Sequence, residues 1–536
     1  MTNAPELQFC LLTEPLIRYR RVTDGNAVFA NLPELFVAMA ADEVRDYPAL
    51  RPHQRHAWYA FLVQLAAITL NKAGRTAVFE TAQEWRDALL ALTPDDPDGA
   101  AWCLVSPPER VAFMQAASPN WDVREWDTLF DASDELDLLL TSKNHDLKGA
   151  RMHASRPEDW LFALISLQTL EGSNSGSHKG ISRMNSGAGS RSGVGVVPKG
   201  GIGQRWTRDV VLLNEARSAV AEKYSLNEVA GLALVWLKPW DGTTSISFSE
   251  LDPCYIEICR RVRLFTKSGR LFARRAKTPT SRIDAGGKKG VTGDPWMPID
   301  ISEEESKALS VQGRGFDYKL ICEILFSGKF FKPEPLRVNL LDGNGLSLLA
   351  QGVARGNSKT EGYHERRVPI SPKVRGLLRA NQSAQLERVT GQRIVAISEV
   401  IRLLKDALIH LFENGDIKNY KQAVKTHGAK IGSIKDAFEA AEDSRFFDDL
   451  NEEMEATDPD AQRLQWLLGL VERAETILKR AFDTGPRSGI QKYRAQSAAL
   501  SRFHGGLRSD KFPIPDLVNY YRQQTTQRQE ETSDHA

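Results

Sequence analysis

Three stretches of this chain mix small residues with cations, a combination suited to holding a phosphate backbone. Gly172 to Gly203 contains ten glycines, seven serines, Lys179, Arg183, Arg191 and Lys199, and no acid. Arg260 to Lys289 carries eleven Lys and Arg residues against the single acid Asp284. Gly352 to Gly362 reads Gly-Val-Ala-Arg-Gly-Asn-Ser-Lys-Thr-Glu-Gly. Glycine lets a backbone approach a ligand closely, and its N–H groups can face phosphate or base edges. Lys and Arg add an attraction that weakens with salt. The pattern predicts nucleic-acid contact, with Lys179 and Arg183 on phosphates. Any one such loop, taken alone, is also what a solvated surface turn looks like.

Catalytic patterns are missing from the same stretches. Gly286-Gly-Lys-Lys-Gly290 lacks the spacing of a phosphate loop. Gly172-Ser-Asn-Ser-Gly176 and Gly189-Ser-Arg-Ser-Gly193 hold Asn174 and Arg191 where a nucleophile elbow needs serine. His364-Glu365 has no second histidine at metalloprotease spacing. The five cysteines make no disulfide scaffold, and Cys254 and Cys259 do not have zinc spacing. The reading is a non-enzyme with reduced, buried thiols, no cofactor and no bound metal.

The elements that must position these loops come from a chain of 536 residues, enough for two to four domains. Hydrophobic residues are 41% and charged residues 26%, so a core can form. The net charge of +1 excludes a uniformly basic coat protein, but not one whose basic and acidic regions cancel. Short strand-like runs open the chain, and Asn31 is placed to cap a helix through Met39. Helices are expected at 53–71, 81–92 and 158–170, a strand at 231–240, and a basic hairpin turning at Lys267-Ser268-Gly269. From Ser383 the pattern is helical throughout, as in an antiparallel bundle. The expected fold class is α+β: a mixed α/β domain over 1–382 with Gly-rich basic loops, a helical bundle over 383–520, and a disordered polar tail over 521–536. No secretory signal and no bilayer-long apolar run are visible, so the expectation is a cytoplasmic protein.

Several runs resemble one family. They are Trp160 to Gly172, Gly176-Ser-His-Lys-Gly-Ile-Ser-Arg-Met-Asn-Ser-Gly187, Arg205 to Asn214, and Arg355-Gly-Asn-Ser-Lys-Thr-Glu-Gly-Tyr-His-Glu-Arg-Arg367. Asn31-Leu-Pro-Glu-Leu35 and Phe113-Met-Gln115 fall in matching places. In this order they resemble the large subunit of the type I-E CRISPR surveillance complex, Cascade. The resemblance implies a mixed α/β domain followed by a four-helix bundle that handles a displaced DNA strand. It implies a seat beside the crRNA 5′ handle, among the backbone, small and handle-binding subunits. It further implies recognition of the protospacer-adjacent motif (PAM) in double-stranded target DNA, initiation of strand separation and R-loop formation, and recruitment of a helicase-nuclease for antiviral defence.

Residue by residue, the resemblance puts the family's PAM loop on Gly172 to Gly180, with Ser175, Gly176, Ser177 and His178 foremost. The family's lysine contact falls on Lys267. Its wedge hairpin falls on Arg355 to Lys359, where Asn357, Ser358 and Lys359 stand in place of the family's glutamine. Its contact with crRNA and neighbouring subunits falls on Lys143, Asn144 and His145. Some members hold zinc through four cysteines where this chain has only Cys254 and Cys259, so no metal is implied. Two rivals stay open: a large subunit of another type I subtype or of a diverged transposition or regulatory complex, and a hydrolase with its site in the 172–203 loop.

Overall fold

The structure is a computed structural model, and it describes residues 7–118, 126, 128–137, 155–173, 176–185, 190–339, 342–356 and 359–533. The chain divides into two compact units, Met1–Phe316 with Gly328–Val368, and Asp317–Ser327 with Pro369–Ala536. The first unit is built on two helices buried almost all round. Arg55–Lys72 and Pro157–Leu170 carry apolar residues on every face, which a helix does when other elements cover it on all sides. Trp58 stacks on Phe61 at 5.7 Å and meets Phe162 edge-on at 5.0 Å. Asn31 caps Leu32–Ala40 as expected: it accepts from the Glu34 N–H, and Glu34 accepts from the Asn31 N–H, each at 2.9 Å.

Around these helices the strands form small sheets of two or three, seven among the described residues. The basic block folds as the expected hairpin. Arg261–Lys267 pairs antiparallel with Arg270–Ala276, Lys267 opposite Arg270, and Thr128–Phe130 adds a third strand. Ser268 and Gly269 both take positive φ, as a two-residue hairpin turn requires. Its inner face buries Val262, Leu264, Leu271 and Ala273.

Three expectations give way here. The 172–203 stretch is not one loop: Gly193–Val197 is a buried strand against Ser347–Gly356, and Ile202 already begins a helix. The 231–240 strand shrinks to Leu232–Leu234. The carbonyls of Val235 and Lys238, which a longer ladder would have used, accept from the Arg282 guanidinium instead. The boundary expected at 382 lies at Val368, and Asp317–Ser327 joins the second unit because its helix is amphipathic towards that core. Tyr318 packs on Phe446 at 4.8 Å and its N–H donates to Asp443 at 2.6 Å.

The second unit is the expected helical bundle of four long helices, Ser383–Phe412, Tyr420–Glu455, Pro459–Ala481 and Gly489–Leu507. The first packs against the other three. Arg393 reaches inward to Glu453 and lies over Trp466 at 4.1 Å. The tail expected to be disordered instead forms a helix, Pro515–Ser533. Phe512, Ile514, Leu517 and Val518 are buried and anchor its start, and the polar remainder continues the same helix. No helix among the described residues is long and apolar enough to cross a membrane.

Candidate nucleic-acid interface

The segment 172–180 leaves the buried helix Pro157–Leu170 and returns to its own starting point. The Ile181 N–H donates to the Glu171 carbonyl at 3.1 Å, and the Gly180 N–H to Ser173 Oγ at 2.9 Å. At this neck the two backbones nearly touch: a Cβ on Gly180 would stand 2.4 Å from the Gly172 carbonyl carbon. Gly180 therefore serves internal packing. Gly176, at the far end, is exposed, and a Cβ there would meet nothing within 4 Å.

Two further ties fasten the loop to the hairpin. The Lys179 N–H donates to the Thr278 carbonyl at 3.0 Å, and the Thr278 N–H to the Ser177 carbonyl at 2.8 Å. Thr278 lies two residues beyond the second hairpin strand. Arg260, one residue before the first strand, donates to the Gly172 carbonyl at 2.7 Å and to the Lys179 carbonyl. Loop and hairpin thus share one footing. Arg260 and Thr278 are positioning residues that sequence reading missed; nothing in their local pattern marks them, although Arg260 lies inside the basic block.

His178 sits half-buried between the two. Burial, with Arg275, Arg260 and Lys277 around it, lowers its pKa to about 4, so the ring is neutral at neutral pH. Its Nδ1 is buried without a hydrogen-bond partner. Lys179 is half-buried, while Lys267 is exposed beside the hairpin turn. On the same outer face Phe265 stacks on Phe272 at 5.7 Å, with Arg270 5.5 Å from the Phe272 ring and Arg274 6.0 Å from the Phe265 ring. That face presents cations and aromatic rings together, the two group types that meet phosphates and bases.

Other cations of the basic stretches point inward, and Arg183 is the clearest correction. It is 1% exposed, lies over the Tyr255 ring at 4.0 Å, and pairs with Asp294 at 3.2 Å and Glu257 at 3.3 Å. It has no route to a phosphate. Arg191 likewise pairs with Asp294 at 2.6 Å and donates to Gln64 Oε1 at 3.1 Å. A buried guanidinium needs such partners, because unpaired it would cost several kcal/mol, on the order of 3–5. Within the second block, Arg263 is buried and donates to the carbonyls of Ser106, Pro107 and Arg110; burial lowers its pKa to about 10.

The remaining candidates divide by position. Arg355 lies in the strand Ser347–Gly356, and Lys359 opens its neighbour Lys359–Pro369. Asn357 and Ser358, between them, lie outside the described residues, as do Ser175, Lys143, Asn144 and His145. The root of the 347–369 pair is held by Gln351, Tyr363 and Glu365, with the Tyr363 hydroxyl donating to Glu365 at 2.6 Å. Ser133 and Ser155, flanking the segment that holds Lys143 to His145, are hydrogen-bonded at 3.0 Å. Cys254 and Cys259 are buried, and no group of three or more His, Cys, Asp or Glu side chains that could hold a metal occurs among the described residues.

No family model and no curated protein matches the sequence. Solved structures do match over nearly the whole length. The CRISPR-associated protein Cse1 from Acidimicrobium ferrooxidans is 15% identical, with a TM-score of 0.66 over 97% of this chain and 99% of that one. Cse1 of Thermobifida fusca is 13% identical, with a TM-score of 0.64 over 96% and 98%. CasA of Thermus thermophilus is 14% identical, with a TM-score of 0.61 over 93% and 100%. The mixed first unit and the helical second unit together have the fold of the Cse1 and CasA proteins.

Proposed function

We propose that this chain is the large subunit of a type I-E CRISPR Cascade complex and that it acts by binding rather than by catalysis. The full-length likeness to Cse1 and CasA supports the reading, and so do the sequence motifs in family order. The observation that carries it is the shared footing of the 172–180 loop and the basic hairpin. Through Thr278 and Arg260, the exposed Gly176 tip and Lys267 belong to one rigid support.

On this reading the tip, Ser175 to Lys179, lies along a duplex groove. Gly176 allows close approach, and neutral His178 offers hydrogen bonds without charge. Lys267 reaches the same duplex. The minor groove presents a degenerate code, so such a loop accepts more than one PAM. The 355–359 turn, with Asn357 or Ser358 leading and Arg355 and Lys359 beside phosphates, enters the first base step. Opening a step costs about 0.6–2.2 kcal/mol, and pairing with the guide RNA nearly offsets it. The protein need only tip that balance. Lys143, Asn144 and His145 meet crRNA and neighbouring subunits, the bundle handles the displaced strand, and the assembled surface recruits the helicase-nuclease.

The test of assembly is copurification. The tagged chain should bring down a small repeat-derived RNA and several smaller subunits from its own cells. Alanine at Lys143, Asn144 and His145 together should release it from them with its own melting unchanged. Trimming the 355–359 turn should leave PAM association intact and slow strand separation, read by a fluorescent base analogue beside the PAM. A chain that purifies without RNA and turns over a substrate by itself would overturn the reading.

A further inference from the structure

Cys10 and Cys103 are register partners in the antiparallel ladder between Gln8–Cys10 and Cys103–Val105. Beside them the Leu11 N–H donates to the Trp102 carbonyl at 3.0 Å, the bond that flanks a non-hydrogen-bonded pair. The Cys10 N–H donates to Glu14 Oε1 at 2.7 Å, and its carbonyl accepts from the N–H groups of Thr13 and Glu14. The Cys103 N–H donates to the Ala100 carbonyl, and its carbonyl accepts from the Phe113 N–H at 2.9 Å. This is the non-hydrogen-bonded type of cross-strand pair, in which Cα atoms stand about 4.5 Å apart and side chains are nearest. A disulfide spans Cα separations of about 4.4–6.8 Å.

The two sulfurs also converge on one place. Cys103 Sγ is 3.3 Å from the Gly99 carbonyl oxygen, and Cys10 Sγ is 3.9 Å from where a Cβ on Gly99 would stand. Cys10 is half-buried, so a small oxidant can reach it, whereas Cys103 is 1% exposed. Hydrogen bonding with Cys103 lowers the Cys10 pKa to about 6, against the opposing effect of burial, and raises that of Cys103. Cys254 and Cys259 are fully buried, and burial raises each to about 12.

We propose that Cys10 and Cys103 form a reversible disulfide, with Cys10 as the attacking thiol and Cys103 as the resolving one. Toward a small organic disulfide, the Cys10 thiolate attacks one sulfur and expels one thiolate. The expelled thiolate takes the Cys103 proton. Cys103 then attacks the Cys10 sulfur and expels the second thiolate, which takes up a proton. Two protein thiols lose two electrons, and one small disulfide is reduced to two thiols.

The link fastens the first strand to the footing of the basic hairpin. The Cys103 carbonyl holds the Phe113 N–H, Gln115 Nε2 donates to the Leu104 carbonyl at 2.9 Å, and Gln115 Oε1 accepts from the Leu264 N–H at 2.7 Å. Leu264 lies in the first hairpin strand. Oxidation therefore stiffens one support of that hairpin.

The experiment treats the full chain with oxidised glutathione at neutral pH, quenches by alkylation, and maps peptides by mass spectrometry. The expected product is a Cys10–Cys103 linked peptide lighter by two hydrogens and released by dithiothreitol. Cys254, Cys259 and Cys322 should alkylate only after denaturation. In Cys103→Ser the reaction should halt at glutathione on Cys10. In the wild type, a lasting glutathione adduct on Cys10 beside a free Cys103 thiol would overturn the proposal, as would both cysteines remaining free thiols. The wild-type map decides the matter even if the variant fails to fold.

Discussion

The two halves of the Gly-rich stretch look alike as sequence and do opposite things in the fold. In the 172–180 stretch Gly176 is exposed and Ser177 to Lys179 are half-buried, held at the neck by Gly180 and from below by Arg260 and Thr278. Beyond Ile181 the chain turns inward, and Arg183 and Arg191 close on Asp294 in the core. Glycine and cation serve a surface loop in one half and close packing around buried charge in the other. A basic, small-residue composition is therefore evidence of ligand contact only where the cations are not buried against internal acids or carbonyls.

The largest effect that would sharpen this contrast lies in the inward half. Asp294→Ala leaves two buried guanidinium groups without their shared carboxylate and should cost about 3–5 kcal/mol, read by denaturant unfolding. A loss under about 1 kcal/mol would place those arginines at the surface after all. The same carboxyl carries a pH signature. Burial alone would raise its pKa, but Arg191 and Arg183 bring it down to about 2, below the ordinary value near 3.9. Its contribution is thus present above about pH 4 and lost as the pH falls towards 2, a few kcal/mol at most, about 2.

Next in size is the pair of glycines. Gly180→Ala forces a methyl against the Gly172 backbone and should destabilise the first unit by about 1–3 kcal/mol. Gly176→Val meets open space and should leave the melting point unchanged. Equal melting losses for the two would erase the distinction between neck and tip. Smaller again is Lys267→Ala. It should weaken duplex binding and make the slope of log affinity against log salt shallower by about one. A conservative Arg183→Lys variant that still folds should leave that slope alone.

The last expected effect, discounted because solvent screens a half-buried ring, concerns His178. Its folded pKa, about 4, lies below an unfolded value near 6.5, so the unfolded chain takes up its proton first. Stability should therefore fall as the pH drops from about 6.5 towards 4, and His178→Gln should flatten that part of the curve. An unchanged curve would mean that the ring is solvated.

The buried helices, the Asn31 cap, the hairpin turn and the bundle were legible because each is a local pattern. Apolar residues recur within Arg55–Lys72, and Ser268-Gly269 sits between two runs of matching length. The fate of the arginines was not legible. Their acids, Glu257 and Asp294, lie 70 or more residues away, and only the fold brings them near. The thiol pair was hidden for the same reason, since a two-strand ladder joins residues 10 and 103. The helix Pro515–Ser533 misled in another way: its polar composition suggested disorder, but four buried residues about its first turn suffice to start it.

The central claim is that the tip of the 172–180 loop reads duplex sequence while its neck only holds it in place. The most direct measurement uses the assembled ribonucleoprotein and targets whose guide-adjacent flank is randomised, selecting bound duplexes and sequencing them. With the native chain a short flank motif should be enriched. With Gly176→Val that enrichment should collapse, while weak binding to unselected duplex persists. Undiminished enrichment with Gly176→Val, in a complex that assembles normally, would contradict the account.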